Sequence, residues 1–179
     1  MIRKLKQLTM AALVSGATLL PAYAAATTTP MDAARMKRTI RKELLTMPFL
    51  TIFDNLSYRV EGDTIHLYGQ VTRPTLKSQA EKRVAQLEGI TRVDNQIEVL
   101  PLSPFDNQIR VAVARAVYGQ SSMNRYALGA NPSIRIIVKN GNVALEGVVA
   151  DTGARNIANI MANSVFGVFS VTNNLQIEK

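Results

Sequence analysis

The chain has 179 residues, 47% of them hydrophobic, a length that allows one or two domains and an apolar content that excludes disorder throughout. It contains no cysteine, which excludes thiolate nucleophiles and cysteine-bound metal. A formal charge of +8 with a pI near 10.0 favours acidic partners such as anionic lipid, acidic polymer or nucleic acid.

The first 24 residues read as an export signal. Arg3, Lys4 and Lys6 form a basic start, and residues 8–20 follow without a charge. Pro21-Ala22-Tyr23-Ala24 then supplies the small-residue pattern of a cleavage site, so a signal peptide over 1–24 is predicted, cut after Ala24. The apolar run is shorter than the roughly 20 residues a membrane-spanning helix needs. Without cysteine, lipid cannot be attached there, and a soluble periplasmic protein is expected. Its removal lowers Lys plus Arg from 21 to 18 against 13 acidic residues, a net +5, so part of the basicity serves targeting. Residues 25–31, rich in Ala and Thr, are expected to form a disordered tether.

A first module is predicted over residues 32–100. Asp32 suits an N-cap, and Met36, Ile40 and Leu44 follow at helical spacing until Pro48. Residues 56–61 and 64–71 read as strands around Gly62-Asp63. In the second, Ile65, Leu67, Gly69 and Val71 alternate with His66, Tyr68 and Gln70. Leu76, Ala80, Val84 and Leu87 mark a second helix with Gly89 as its C-cap, and residues 92–100 read as the closing strand.

Residues 101–105 carry two prolines and predict a short, stiff linker. A second module follows over 106–179. Asp106 is taken as the cap of a helix striped by Ile109, Val113 and Val117, which carries only Arg110 and Arg115 as cations. Val111 and Ala114 form a second apolar arc, expected to pack on the first module or another chain. Residues 119–132 look like a mobile loop. Asn140-Gly141 between alternating apolar runs signals a hairpin. A helix from about 152 to 166 ends at Gly167, before a last strand over 169–178.

The two halves are copies. At one ungapped offset of 78, Ile65, Leu67, Gly69, Val71, Gly89, Val93, Asn95 and Ile97 align with Val143, Leu145, Gly147, Val149, Gly167, Val171, Asn173 and Leu175. The first helices align at offset 74.

Twice, a strand with a fixed Gly (IHLYGQV, VALEGVV) precedes a helix, a Gly and a closing strand of V-x-N form (VDNQIEV, VTNNLQI). This pattern resembles the BON domain of bacterial osmotic-stress and other envelope proteins, and the tandem arrangement is similar to the family's periplasmic two-module members. The resemblance implies an α+β fold of two tandem αββαβ modules, each a three-stranded mixed sheet covered by two helices. It also implies a non-catalytic, cofactor-free role in phospholipid contact or envelope integrity. Gly69, Gly89, Asn95, Gly147, Gly167 and Asn173 match the family pattern and are read as fold residues. Gly69 and Gly147 would let a helix approach the sheet, and each Asn would satisfy backbone groups.

The residues themselves offer no catalytic constellation. His66 is the only histidine, which leaves no metal spacing and no Ser-His-Asp order. Asp54, Glu61 and Asp63 sit at a strand start and in a turn. There is no phosphate-cradling loop. The candidate binding surface is the first helix, where Arg35, Lys37, Arg38, Arg41 and Lys42 lie opposite the Ala33, Met36, Ile40 and Leu44 stripe. That face either meets anionic phospholipid or another acidic envelope component, or is merely solvated. The apolar segment 48–53 either closes the module core or inserts into a membrane interface. An envelope binding protein is therefore the leading reading, and a periplasmic protein scaffold or chaperone-like stress protein the alternative. Nucleic acid is disfavoured by export and by the absence of a G-x-x-G clamp.

Overall fold

The computed structural model describes residues 30–129 and 131–178, so the expected signal peptide and most of the tether lie outside the described residues. Helix α1 spans Pro30–Leu45, strand β1 Asn55–Glu61, β2 Thr64–Val71, α2 Pro74–Ala85, β3 Arg92–Asn95 and β4 Glu98–Val99. The second half contains α3 Pro104–Tyr118, a 3-10 helix Ser121–Tyr126, β5 Ile134–Lys139, β6 Asn142–Val149, α4 Thr152–Asn163 and β7 Ser170–Ile177.

The expected α+β architecture is present twice. In each module a hairpin pairs two strands antiparallel, and a helical crossover returns the chain to pair parallel with the second. Sheet order is β1-β2-β3 in the first module and β5-β6-β7 in the second. The predicted closing strand of module one is split into β3 and β4. Both pairings keep one register, Leu67 opposite Asn95 and Gln70 opposite Glu98, and Gln96 N–H bridges the gap by donating to Leu67 O at 2.9 Å.

Apolar alternation puts one face of each sheet under two helices. Ile40, Leu44, Ile65, Leu67, Leu76, Ala80 and Val84 belong to the first core. Ile109, Val113, Val117, Ile134, Ile136, Leu145 and Ala158 belong to the second. The two cores are separate clusters, as expected of two copies of one unit.

Several local readings need correction. Helix α1 begins at Pro30, so Asp32 lies inside it and not at its cap. Ser103 caps α3, its hydroxyl accepting from Asp106 N–H at 3.1 Å. Asp106 is instead buried and accepts from Asn140 N–H and Gly141 N–H at 3.0 and 2.8 Å, pinning the hairpin turn to α3. Residues 119–132 are not simply a mobile loop. Met123 and Tyr126 of the 3-10 helix are buried in the second core, and Ala150 N–H donates to Tyr126 Oη at 3.0 Å. In the second arc of α3, Ala114 packs on the core of its own module while Val111 is exposed.

Gly69 and Gly147 have φ of +116° and +121°, and a Cβ on either would collide with the neighbouring strand, at the carbonyl of Asn55 or Ser133. The close neighbour is therefore a strand backbone and not the covering helix. Gly89 and Gly167 are not helix caps: the C-caps of α2 and α4 are Gln86 and Ser164, and these glycines lie in the turns beyond at positive φ. Asn95 Nδ2–H donates to Lys77 O at 3.0 Å and Asn173 Nδ2–H to Arg155 O at 2.9 Å, tying each closing strand to the second helix of its module.

Segment 48–53 joins the modules, which neither expectation anticipated. Leu50 packs on the first core, whereas Ile52 and Phe53 pack on the second. Ile136 N–H donates to Ile52 O at 2.8 Å and Arg135 Nη1 to Thr51 O at 2.9 Å, so the segment runs beside β5. Lys139 pairs with Glu98 at 2.6 Å across the same seam. Ile137 alternates onto the helix-free face of its sheet, yet is only 5% exposed, because module one covers it there.

Gly147→Ala is expected to cost about 3 kcal/mol through the positive φ and the clash with Ser133, measured by urea unfolding. A second expectation concerns alkali. Burial pushes the Tyr118 phenol up to about 12, against the opposing influence of the Arg135 charge, and its hydroxyl donates to Ile134 O at 2.6 Å. A raised folded-state pKa contributes stability that is intact below the ordinary value of 10.0 and is lost as pH climbs towards 12. Tyr118→Phe is expected to cost about 1 kcal/mol at neutral pH and to flatten that alkaline decline in a pH-dependent melting series.

Candidate binding surfaces

Helix α1 is held by its apolar stripe and by two polar ties. Tyr58 Oη donates to Lys37 O at 2.7 Å, reaching from β1. Burial raises the Tyr58 pKa, and Arg41 opposes that shift. Glu43, the acid nearest the stripe, pairs with Arg83 of α2 at 3.2 Å. That pairing turns the acid away from the cationic face. Arg35, Lys37, Arg38, Arg41 and Lys42 are all exposed, and none forms an ion pair among the described residues. A shallow groove of about 430 Å³ runs beside them, lined by Arg35, Met36, Thr39, Leu87, Glu88 and Gly89.

His66 lies on the helix-free face of the first sheet, opposite Arg59 on one side and Asp94 on the other. Its Nδ1 is 2.9 Å from Asp94 Oδ2 and its Nε2 3.5 Å from Glu61 Oε2. Gln96 and then His66 hold the Asp94 carboxyl below its usual range by hydrogen bonding. The pair braces neighbouring strands. Asp54 is buried, accepting from Thr51 N–H and Oγ1–H at 2.8 and 2.7 Å and from Thr72 N–H and Oγ1–H at 2.6 and 2.8 Å. No group of three or more metal-ligating side chains occurs among the described residues.

Sequence reasoning passed over a second surface. At one end of module two, Phe166 is 98% exposed and Phe169 75%, while Ile160 on α4 is 58% exposed. The Phe105 ring lies against Gly167 and the Phe169 ring against Gly141, which gathers the aromatics at one tip. Residues 156–177 contain no charged side chain. The copy relationship carried the signal. At offset 78, Lys82, Glu88 and Thr91 stand where Ile160, Phe166 and Phe169 stand.

The structure is thus a duplicated α+β unit with exposed, chemically distinct surfaces. The BON-domain family profile matches residues 32–101 and 106–179, and the chain belongs to that family. BON domains are associated with membrane or phospholipid binding and envelope stress, as binding domains and not catalysts. Among solved structures, the chain is similar to the C-terminal domain of CdsD, described as the structural protein of the Type III secretion system of Chlamydia trachomatis. That match has 13% identity, covers 79% of this chain and 96% of that one, and has a TM-score of 0.33. A second CdsD structure matches at 12% identity over 81% and 94% of the two chains, with a TM-score of 0.31. No curated protein sequence matches the chain.

Proposed function

We propose that this protein is exported to the periplasm and contacts anionic phospholipid surfaces through the basic face of α1, supporting envelope integrity or osmotic-stress tolerance. The observation that carries this reading is the set of five exposed cations without an ion-pair partner among the described residues. Near an anionic surface each contributes about 1 kcal/mol, so together they amount to between three and four decades in partition, at most, at low salt. The attraction decays over a Debye length of about 8 Å at physiological ionic strength. BON-family membership supports a binding role.

The aromatic tip favours a second reading, an envelope scaffold that grips another protein. Uncharged, exposed Phe166 and Phe169 suit an apolar partner surface as well as a bilayer interface.

Flotation with vesicles separates the two. The protein is expected to float with phosphatidylglycerol vesicles and not with neutral ones, and to detach as salt rises. Arg38→Glu with Arg41→Glu should weaken that binding at least tenfold, while Phe166→Ser with Phe169→Ser should leave its salt dependence in place. Salt-insensitive binding that disappears only with the phenylalanine pair would sink the α1 reading. Export predicts that the periplasmic protein begins at Ala25 by intact mass; an unprocessed start in the cytosol would contradict it.

A further inference from the structure

We propose that the cleft between the two modules binds a small oxyanion of the phosphate class. The cleft encloses about 530 Å³ and is lined on one side by Thr51, Phe53, Thr72 and Arg73, and on the other by the linker with Asn107 and Arg110. Neither side is a site by itself. The proposal rests on what converges there.

Arg110 is the first observation. It is one of only two cations on α3, and it is only 5% exposed. Its Nη2 donates to Val138 O at 2.8 Å, and its Nε is buried without a partner. The carboxylates close enough to influence it are otherwise engaged. Asp106 is committed to the hairpin amides of Asn140 and Gly141, and Asp54 to the two threonines. No carboxylate lies within ion-pair distance of Arg110 among the described residues. A buried guanidinium with an unused donor is costly unless something anionic completes it.

Two helix starts are the second observation. Helix α2 begins at Pro74 behind Arg73, and α3 at Pro104 behind Ser103, so residues at both N-termini line the same cleft. Helix N-termini carry partial positive charge and unpaired amide donors. The start of α2 has no side-chain cap and no acidic residue in its first turn. Arg73 stands there as a further cation, its guanidinium 5.3 Å from the Phe49 ring centroid.

The duplication supplies the third observation. Arg73 corresponds to Asp151 at offset 78, and Asp151 caps α4 by accepting from Ala154 N–H at 2.8 Å. Arg110 corresponds at offset 74 to Met36, which packs on the first core. At both positions the framework accepts an ordinary structural residue in the other copy. Where the modules meet, each is an arginine. A tetrahedral oxyanion offers several acceptors, enough to engage guanidinium and backbone N–H donors together.

The reading does not depend on α1. Titration of the labelled full chain with inorganic phosphate at constant ionic strength, using chloride as the competing salt, should give saturable amide shifts at Thr75, Asn107 and neighbours. Arg73→Asp and Arg110→Met each install the other copy's residue and should weaken phosphate at least tenfold. Arg73→Asp also gives α2 a capping acid, so its melting temperature should hold or rise, which keeps the test valid if Arg110→Met folds poorly. Arg38→Glu with Arg41→Glu should leave phosphate binding intact, so failure of the α1 reading is distinguishable from failure here. If the natural oxyanion is a lipid headgroup, Arg73→Asp also weakens flotation with phosphatidylglycerol vesicles; if it is a soluble phosphate, flotation is unchanged. Either outcome upholds the cleft. Linear shifts that chloride reproduces, or full affinity in Arg73→Asp, would overturn it.

Discussion

The buried carboxylate of Asp54 is the constraint on which the two-module arrangement depends. Its two oxygens accept from the amides and hydroxyls of Thr51 and Thr72, joining the segment after α1 to the end of β2. Charge-assisted bonds of this kind are roughly twice as strong as neutral ones. With Thr51 held, its carbonyl and that of Ile52 are presented to Arg135 and to Ile136 N–H in the other module. A backbone pairing thereby connects units that are also joined by the short linker and by the Lys139–Glu98 ion pair. Ile52 and Phe53 extend the second core, and Ile137 loses its exposure to solvent.

The seam also explains how two copies of one fold became chemically different. Both keep the features the fold demands: the positive-φ glycine opposite a strand carbonyl, the asparagine tie to the second helix, the alternating core. They differ where solvent or the other module is the neighbour. Module one keeps charge on its helices, and module two replaces Lys82, Glu88 and Thr91 with Ile160, Phe166 and Phe169. Substitutions at such positions change what the surface attracts at little cost to the core beneath, because exposed side chains contribute little to stability.

A small sheet covered on one face leaves little interior for a substrate. Each module of about 70 residues buries only roughly 60% of its unfolded surface. What the fold exposes is surfaces and seams: a cationic helix, an aromatic tip and a cleft between modules. BON domains are binding domains. His66, which a search for catalytic residues would single out, is occupied with Asp94 and Glu61 across the strands.

The sequence by itself determined the duplication, the order of elements, the hairpin at Asn140-Gly141 and the cationic face of α1. Each follows from local periodicity or from comparing one half with the other, and neither requires knowing what lies opposite in space. Only the tertiary structure decided the rest. Segment 48–53 was legible as apolar, but not as a strap, because its partners Arg135 and Ile136 are more than eighty residues away. Asp106 read as a cap and Arg110 only as one of two cations on its helix, since helical periodicity reports a face and not what covers it. Met123 and Tyr126 sit in a stretch whose composition suggests a loop, and they are ordered by burial against a core that the stretch itself does not contain. Charge and exposure at these sites were set by long-range packing, which no local pattern records.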